Sequence, residues 1–229
     1  MEEFQRYAVY YAPDRGPFAR FAAEWLGWCP LSGIEKPHPE VPGLPRPVEE
    51  ITRTPRKYGF HGTIKPPFRL AYGSTPAALE EDVAALARRL SPVRMDGLAL
   101  HQLGGFVALL PEGDVSDLAG LAGDVVEALD HHRAPAPATE TARRRQAGLT
   151  PRQEELLLRW GYPYVMDEFR FHLTLTGKLS SEDAARTVAA LNPILTPLLP
   201  RPFEVRDLCL FGEDRSGRFQ LIQRYALTG

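Results

Sequence analysis

Two stretches of this chain carry the same signature. KYGFHGTIKPPF begins at Lys57 and DEFRFHLTLTG begins at Asp167; each holds an aromatic residue, then His-x-Thr, then an aliphatic residue. The segments after the two signatures also match. A helical pattern comes next in both, then a pair of strands. His61 precedes Leu98 by 37 positions and His172 precedes Leu208 by 36, so Leu98-Ala99-Leu100 corresponds to Leu208-Cys209-Leu210. A strand–helix–strand–strand unit thus occurs twice. That period is too long for a solenoid and predicts a pseudo-symmetric pair of lobes. The expected fold is α+β and bilobal: two antiparallel sheets flanked by helices around a central groove. The whole of residues 1–229 is expected to form one domain, with lobe-forming halves near 1–130 and 131–229.

Local signals place the elements. Arg6–Ala12 reads as a strand. Pro17 opens a helix whose Phe18, Phe21, Ala22, Trp25 and Leu26 recur at helical spacing. A proline-dense segment between Pro30 and Pro55 reads as an irregular loop or a lid. Tyr58–Ile64 is a strand expected to stop at Pro66-Pro67. Thr75 caps a helix lined by Leu79, Val83, Leu86 and Leu90. Strands flank Gly104-Gly105, and a helix covers roughly Val115–Leu129. The next stretch, rich in Pro and Ala, is a linker or a loop with a short helix, and Thr150-Pro151 opens another helix. FRFHLTLTG is a strand, Ser180 caps a helix with Asp183 three residues on, and a hairpin turns near Ser216-Gly217.

On a strand, residues two apart share a face. His61 and Thr63 therefore point one way, and Phe60, Gly62 and Ile64 the other. In the second copy Phe169, Phe171, Leu173 and Leu175 form an apolar row, and Arg170, His172, Thr174 and Thr176 a polar one. Facing polar rows bring two imidazoles and two hydroxyls into one cleft. That set suits a phosphodiester. A neutral His takes a proton from water, a protonated His gives one to the departing alkoxide, and each Thr hydroxyl donates to a non-bridging oxygen. The scheme needs no metal and no other cofactor.

Cations and aromatic rings supply further candidates. Lys65 follows the first signature and is expected on the His61 side. Arg170 shares the face of His172. Arg143 and Arg144 belong to the densest basic cluster, Arg143–Arg145, on a segment able to act as a lid and meet a second phosphate. Tyr58 and Tyr7 are the tyrosines most expected to reach substrate; Tyr10, Tyr162 and Tyr164 read as packing. His131-His132 ends a helix, where positive charge is favourable, and reads as structural or surface rather than metal-binding.

Totals exclude some classes. A net charge of −2 argues against bulk binding to nucleic acid or anionic membrane. Apolar runs are too short to span a bilayer, and two cysteines make neither a zinc motif nor a secreted disulfide framework. The acidic start, with Glu2 and Glu3, does not resemble a signal peptide. A cytoplasmic protein acting on a small phosphate ester is expected, with nucleic acid less favoured and the oligomeric state open.

HGTI and HLTL resemble the paired His-x-Thr-x signatures of the 2H phosphoesterase superfamily. YAVYYAP, PRKYGFHGTIKPPFRL and RWGYPYVMDEFRFHLTLTG are similar to the branch found beside phosphonate-utilisation genes, across nearly the whole chain. The resemblance implies His61 and His172 as the catalytic pair and Thr63 and Thr174 as phosphoryl ligands. It also implies metal-independent hydrolysis of a cyclic phosphodiester. A phosphoribosyl 1,2-cyclic phosphate is the attractive substrate, a nucleotide or RNA 2′,3′-cyclic phosphate the alternative, and a non-catalytic sugar-phosphate or nucleotide binding module a third reading. The sequence departs at Gly62, where alanine is expected in many relatives; on the core-facing side that change is expected to be harmless.

Overall fold

The computed structural model describes residues 4–229, so the acidic start at Glu2 and Glu3 lies outside the described residues. The first repeat unit runs β4 (Gly62–Phe68), α3 (Pro76–Ala87), β5 (Val93–Met95), then the hairpin β6 (Gly97–Leu103) and β7 (Phe106–Glu112). The second runs β8 (Leu173–Thr174), α7 (Ser181–Leu195), β9 (Phe203–Val205), then the hairpin β10 (Asp207–Glu213) and β11 (Phe219–Ala226). Ahead of the first unit come β1 (Arg6–Tyr11), α1 (Pro17–Leu26), a short ribbon of β2 (Trp28–Cys29) and β3 (Ile34–Glu35), and α2 (Val48–Arg56). Between the units lie α4 (Ser116–Ala128), α5 (Ala138–Arg145) and α6 (Pro151–Trp160).

The main sheet has seven strands in the order β11-β10-β1-β4-β8-β7-β6, and every pairing in it is antiparallel. The architecture is α+β, as expected. Its two expected sheets meet in one, joined through a single register pair, Gly62↔Leu173. Each motif strand is completed by the other unit's hairpin. The first-unit hairpin β6–β7 pairs with β8, while the second-unit hairpin β10–β11 reaches β4 through β1. The short strands β5 and β9 pair with each other. The two repeat units thus interlock across one sheet.

The sheet has two unlike faces. Tyr7, Val9, Ile64, Leu109, Leu173, Leu208 and Leu210 point into the main core, where α1, α3, α4 and α7 add Trp25, Leu79, Leu118, Leu191 and others. The opposite face carries a small second cluster, with Ala8, Tyr10, Cys209, Phe211 and Phe219 buried and Tyr58 packed against them.

Several expected boundaries move. β4 runs through Pro66-Pro67 instead of stopping there. Beyond Gly62 it has no partner on the β8 side, and a free edge tolerates residues that lack an N–H. The second motif strand is only two residues long, because Phe169–His172 makes no ladder. The proline-dense segment contains α2, held down by buried Val48 and Ile51, with Gly177 N donating to Ile51 O at 2.6 Å. Among the described residues no helix is long and apolar enough to cross a membrane.

Candidate active site

The single β4–β8 pair fixes the relation of the two motifs. Gly62 lies opposite Leu173, and the motif residues flank this pair, His61 and Thr63 on one chain segment and His172 and Thr174 on the other. By strand alternation all four point away from the main core that Ile64 and Leu173 enter. Thr63 is in turn paired with Tyr10 of β1.

Both imidazoles are held alike. His61 Nδ1 lies 2.9 Å from Gly59 O, and His172 Nδ1 lies 2.8 Å from Arg170 O. A carbonyl only accepts, so each Nδ1 carries its proton and donates it. That leaves Nε2 of each ring for chemistry. Gly59 is what presents its carbonyl this way: its φ of 68° is a left-handed value, and a Cβ there would lie 2.6 Å from Pro30 Cγ.

The two rings differ in surroundings. His61 packs against Tyr10, with ring centroids 4.0 Å apart, and is flanked by Tyr58 at 5.7 Å. Burial pushes its pKa down to about 4; the Gly59 carbonyl opposes this and the neighbouring charge of His172 adds to it. His172 faces Phe106, ring centroids 5.7 Å apart. The buried Tyr10 phenol is pushed well above its ordinary value by desolvation, so it stays a protonated donor at neutral pH.

Two clefts meet at these residues. The first, of about 300 Å³, is lined by His61, Thr63, Thr174 and Tyr58, with Arg6, Arg143 and Arg144 bringing positive charge. The second, of about 320 Å³, is lined by His172 and Arg170 with Tyr162, Tyr164, Val165 and Phe169. Thr63, Pro66 and Tyr162 border both. Arg144 is positioned by Glu140, its Nη2 donating at 2.6 Å, and its guanidinium lies 4.6 Å from the Tyr162 ring centre. Its Nε is buried with no hydrogen-bond partner among the described residues.

Of the residues singled out from the sequence, eight line these clefts: His61, His172, Thr63, Thr174, Arg170, Tyr58, Arg143 and Arg144. Lys65 and Tyr7 do not. Lys65 is 2% exposed, its Nζ donating to Val126 O at 2.9 Å and lying 3.7 Å from Asp130. The register of β4 against β1 shifts between Val9 and Tyr10, which sets Lys65 opposite core-facing Val9 instead of on the His61 side. Tyr7 also packs in the main core, and Tyr10, three residues on, occupies the site face. Sequence reasoning missed Arg6 and Thr54, and read as packing Tyr10, Tyr162 and Tyr164, which line the clefts. Strand parity marks Ala8, Tyr10 and Ala12 as one face of β1, but only the pairing Tyr10↔Thr63 tells which face that is.

The low pKa of His61 has a consequence for stability. The unfolded imidazole takes its proton near pH 6.5, the native one only near pH 4. Between these values the unfolded state binds more protons, so stability falls as pH drops from 6.5 to 4 and this contribution is gone below. A His61→Gln variant is expected to lose that slope, on the order of 3 kcal/mol over the window. Urea midpoints of wild type and variant at matched pH values check this; parallel curves would refute it.

Comparison with known proteins places the chain. A family model described as "Protein of unknown function (DUF1045)" matches residues 63–220. The chain is 40% identical over 185 residues to "Ribose 1,5-bisphosphate phosphokinase PhnN" of Janthinobacterium sp. (strain Marseille), covering 80% of this chain and 41% of that protein. It is 36% identical over 218 residues to the protein of the same name from Laribacter hongkongensis (strain HLHK9), covering 93% and 49%. The chain thus spans less than half the length of these curated relatives. Among solved structures, "Crystal structure of phosphoesterase" aligns at TM-score 0.44 and 14% identity, over 98% of this chain and 99% of that one. E. coli LigT complexed with 3′-AMP aligns at 0.42 and 18%, over 99% and 100%. With the family model matching from Thr63 in the first motif, through the whole of the second, to Gln220, this chain belongs to the DUF1045 family.

Proposed function

We propose that this chain is a phosphodiesterase that opens a cyclic phosphodiester by two-histidine acid–base catalysis. The observation that carries the reading is the matched pair of imidazoles, each locked by an Nδ1–carbonyl bond that frees Nε2, at clefts sharing Thr63. His61, held neutral by burial, is the base: its Nε2 takes a proton from water as the water oxygen bonds to phosphorus. His172, as imidazolium, gives a proton from Nε2 to the ester oxygen as its bond to phosphorus breaks. The Thr63 and Thr174 hydroxyls donate to the non-bridging oxygens, whose charge grows on the way to the transition state. The product is a phosphomonoester bearing a free hydroxyl.

A phosphoribosyl 1,2-cyclic phosphate is the favoured substrate. Arg6, Arg143 and Arg144 in the first cleft suit a second phosphate on the same molecule. Ring opening of such a compound yields a ribose bisphosphate, the class of compound in the relatives' name. A nucleoside 2′,3′-cyclic phosphate is the second reading, favoured by the aromatic second cleft with Tyr162, Tyr164 and Phe169, where a base can stack.

Phosphorus NMR in excess chelator tests this, with each compound offered separately. Conversion of the sugar phosphate to a monoester signal is the expected result. Conversion of the nucleotide alone transfers the assignment to the second reading. If neither is turned over while both bind, the site is a binding module and the catalytic reading fails.

A further inference from the structure

Away from both clefts, three side chains from two separate parts of the chain converge on one point. Asp82 lies on α3, and His131 and His132 lie on the one-turn helix Asp130–His132 that follows α4. Among the described residues this is the group of His, Cys, Asp or Glu side chains whose ligand atoms all fall within 4.8 Å of one another. His131 Nε2 is 3.0 Å from Asp82 Oδ2, and His132 Nε2 is 2.9 Å from the same oxygen. The rings lie 4.1 Å apart between centroids.

The geometry points to a divalent transition-metal site, of the zinc type, formed by Asp82, His131 and His132. Tetrahedral coordination with metal–ligand bonds near 2.0–2.1 Å separates neighbouring ligand atoms by about 3.3 Å. Both Nε2–Oδ2 separations are within a few tenths of an ångström of that. Two imidazoles and one carboxylate select zinc or a similar ion over magnesium or calcium, which prefer all-oxygen sets. Each ring must offer a bare Nε2, hence carry its proton on Nδ1. For His132 an acceptor for that proton is in place: Ser74 Oγ lies 2.5 Å from Nδ1. Such a support behind a ligating ring is the usual device for fixing its tautomer.

Access and rigidity are divided between the ligands. His132 is 3% exposed and further anchored by Ala71 N donating to its carbonyl at 2.8 Å. The side chains of His131 and Asp82 are 61% and 47% exposed, so an ion can enter and the fourth position is open to water. An ion here ties α3 to the segment leading toward α5. It takes no part in the proposed chemistry, since none of the three residues lines either cleft.

The test is zinc titration by calorimetry on tag-free, chelator-stripped full chain. It is run on wild type and in a His61→Ala/His172→Ala background, so that the cleft imidazoles are accounted for. One zinc ion per chain bound in the double variant is expected, with a raised melting temperature and no response to magnesium. His131→Ala, at an exposed position, should remove that one equivalent in both backgrounds. Ser74→Ala should weaken it by about tenfold. Cobalt in place of zinc should give visible absorption that His131→Ala abolishes. No binding in the double variant, or an equivalent that survives both His131→Ala and Asp82→Asn, would overturn the proposal and leave the trio as a hydrogen-bonded clamp.

Discussion

His61→Ala and His172→Ala should each lower turnover of the cyclic substrate by roughly 10²–10⁴-fold, the usual worth of a positioned acid or base. The double variant should lose little more than the worse single one, because groups that act as a unit are strongly non-additive. The two losses should differ in kind. His61 is the group whose surroundings favour the neutral ring, so activity in its absence should be partly restored by small external bases. Loss of His172 should be relieved when the leaving oxygen is replaced by a better leaving group that needs no proton. Single-turnover rates with such a substrate separate the roles. Equal relief of both variants would refute the assignment of base and acid while leaving the catalytic pair in place.

Gly62→Ala is expected to destabilise the fold and the site together. Gly62 faces the core side, and a Cβ there would lie 2.2 and 2.5 Å from ring carbons of Phe171. Phe171 is buried, in contact with Phe203 at 5.8 Å between ring centres and with Tyr11 at 6.1 Å, so its ring has little room to retreat. Overpacking of this sort costs about 1–3 kcal/mol. Here it also acts at the one register pair that joins β4 to β8, and so spreads His61 and His172 apart. Denaturation midpoints and kcat should fall together. Phe171→Leu added to Gly62→Ala should recover part of both. A Gly62→Ala protein with wild-type stability would show that the ring moves freely and that the contact carries no constraint.

Much of this is legible in the sequence because it is local. Thr75 accepts from Ala78 N at 3.1 Å and Ser180 from Asp183 N at 3.1 Å, both as helix caps; Thr150 forms a full capping box with Gln153. Strand parity alone puts His61 with Thr63 and His172 with Thr174. The illegible part depends on distant partners. Lys65 obeys parity only until the register shift against β1 turns it inward. Tyr7 and Tyr10 are equally aromatic, and the choice between them is made by Thr63 across the strand. Arg6 reaches the cleft while bound to Glu213, 207 positions away. The helix α2 does leave a signal within the proline-dense segment: Val48, Ile51, Thr52 and Pro55 are its buried positions, at helical spacing.

The exchange of hairpins between the two repeat units ties the site to the order of synthesis. When the first unit has left the ribosome, its β6–β7 hairpin still lacks β8, and β1 still lacks β10. Both are open edges, and both are closed only by segments made later. The two histidine-bearing segments can meet at Gly62 and Leu173 only once β8 has been made. The histidine-bearing face is a product of closure, and a nick in the linker near Pro135–Pro137 would leave two pieces, each carrying one motif histidine, His61 or His172, and each needing the other's hairpin to finish its sheet.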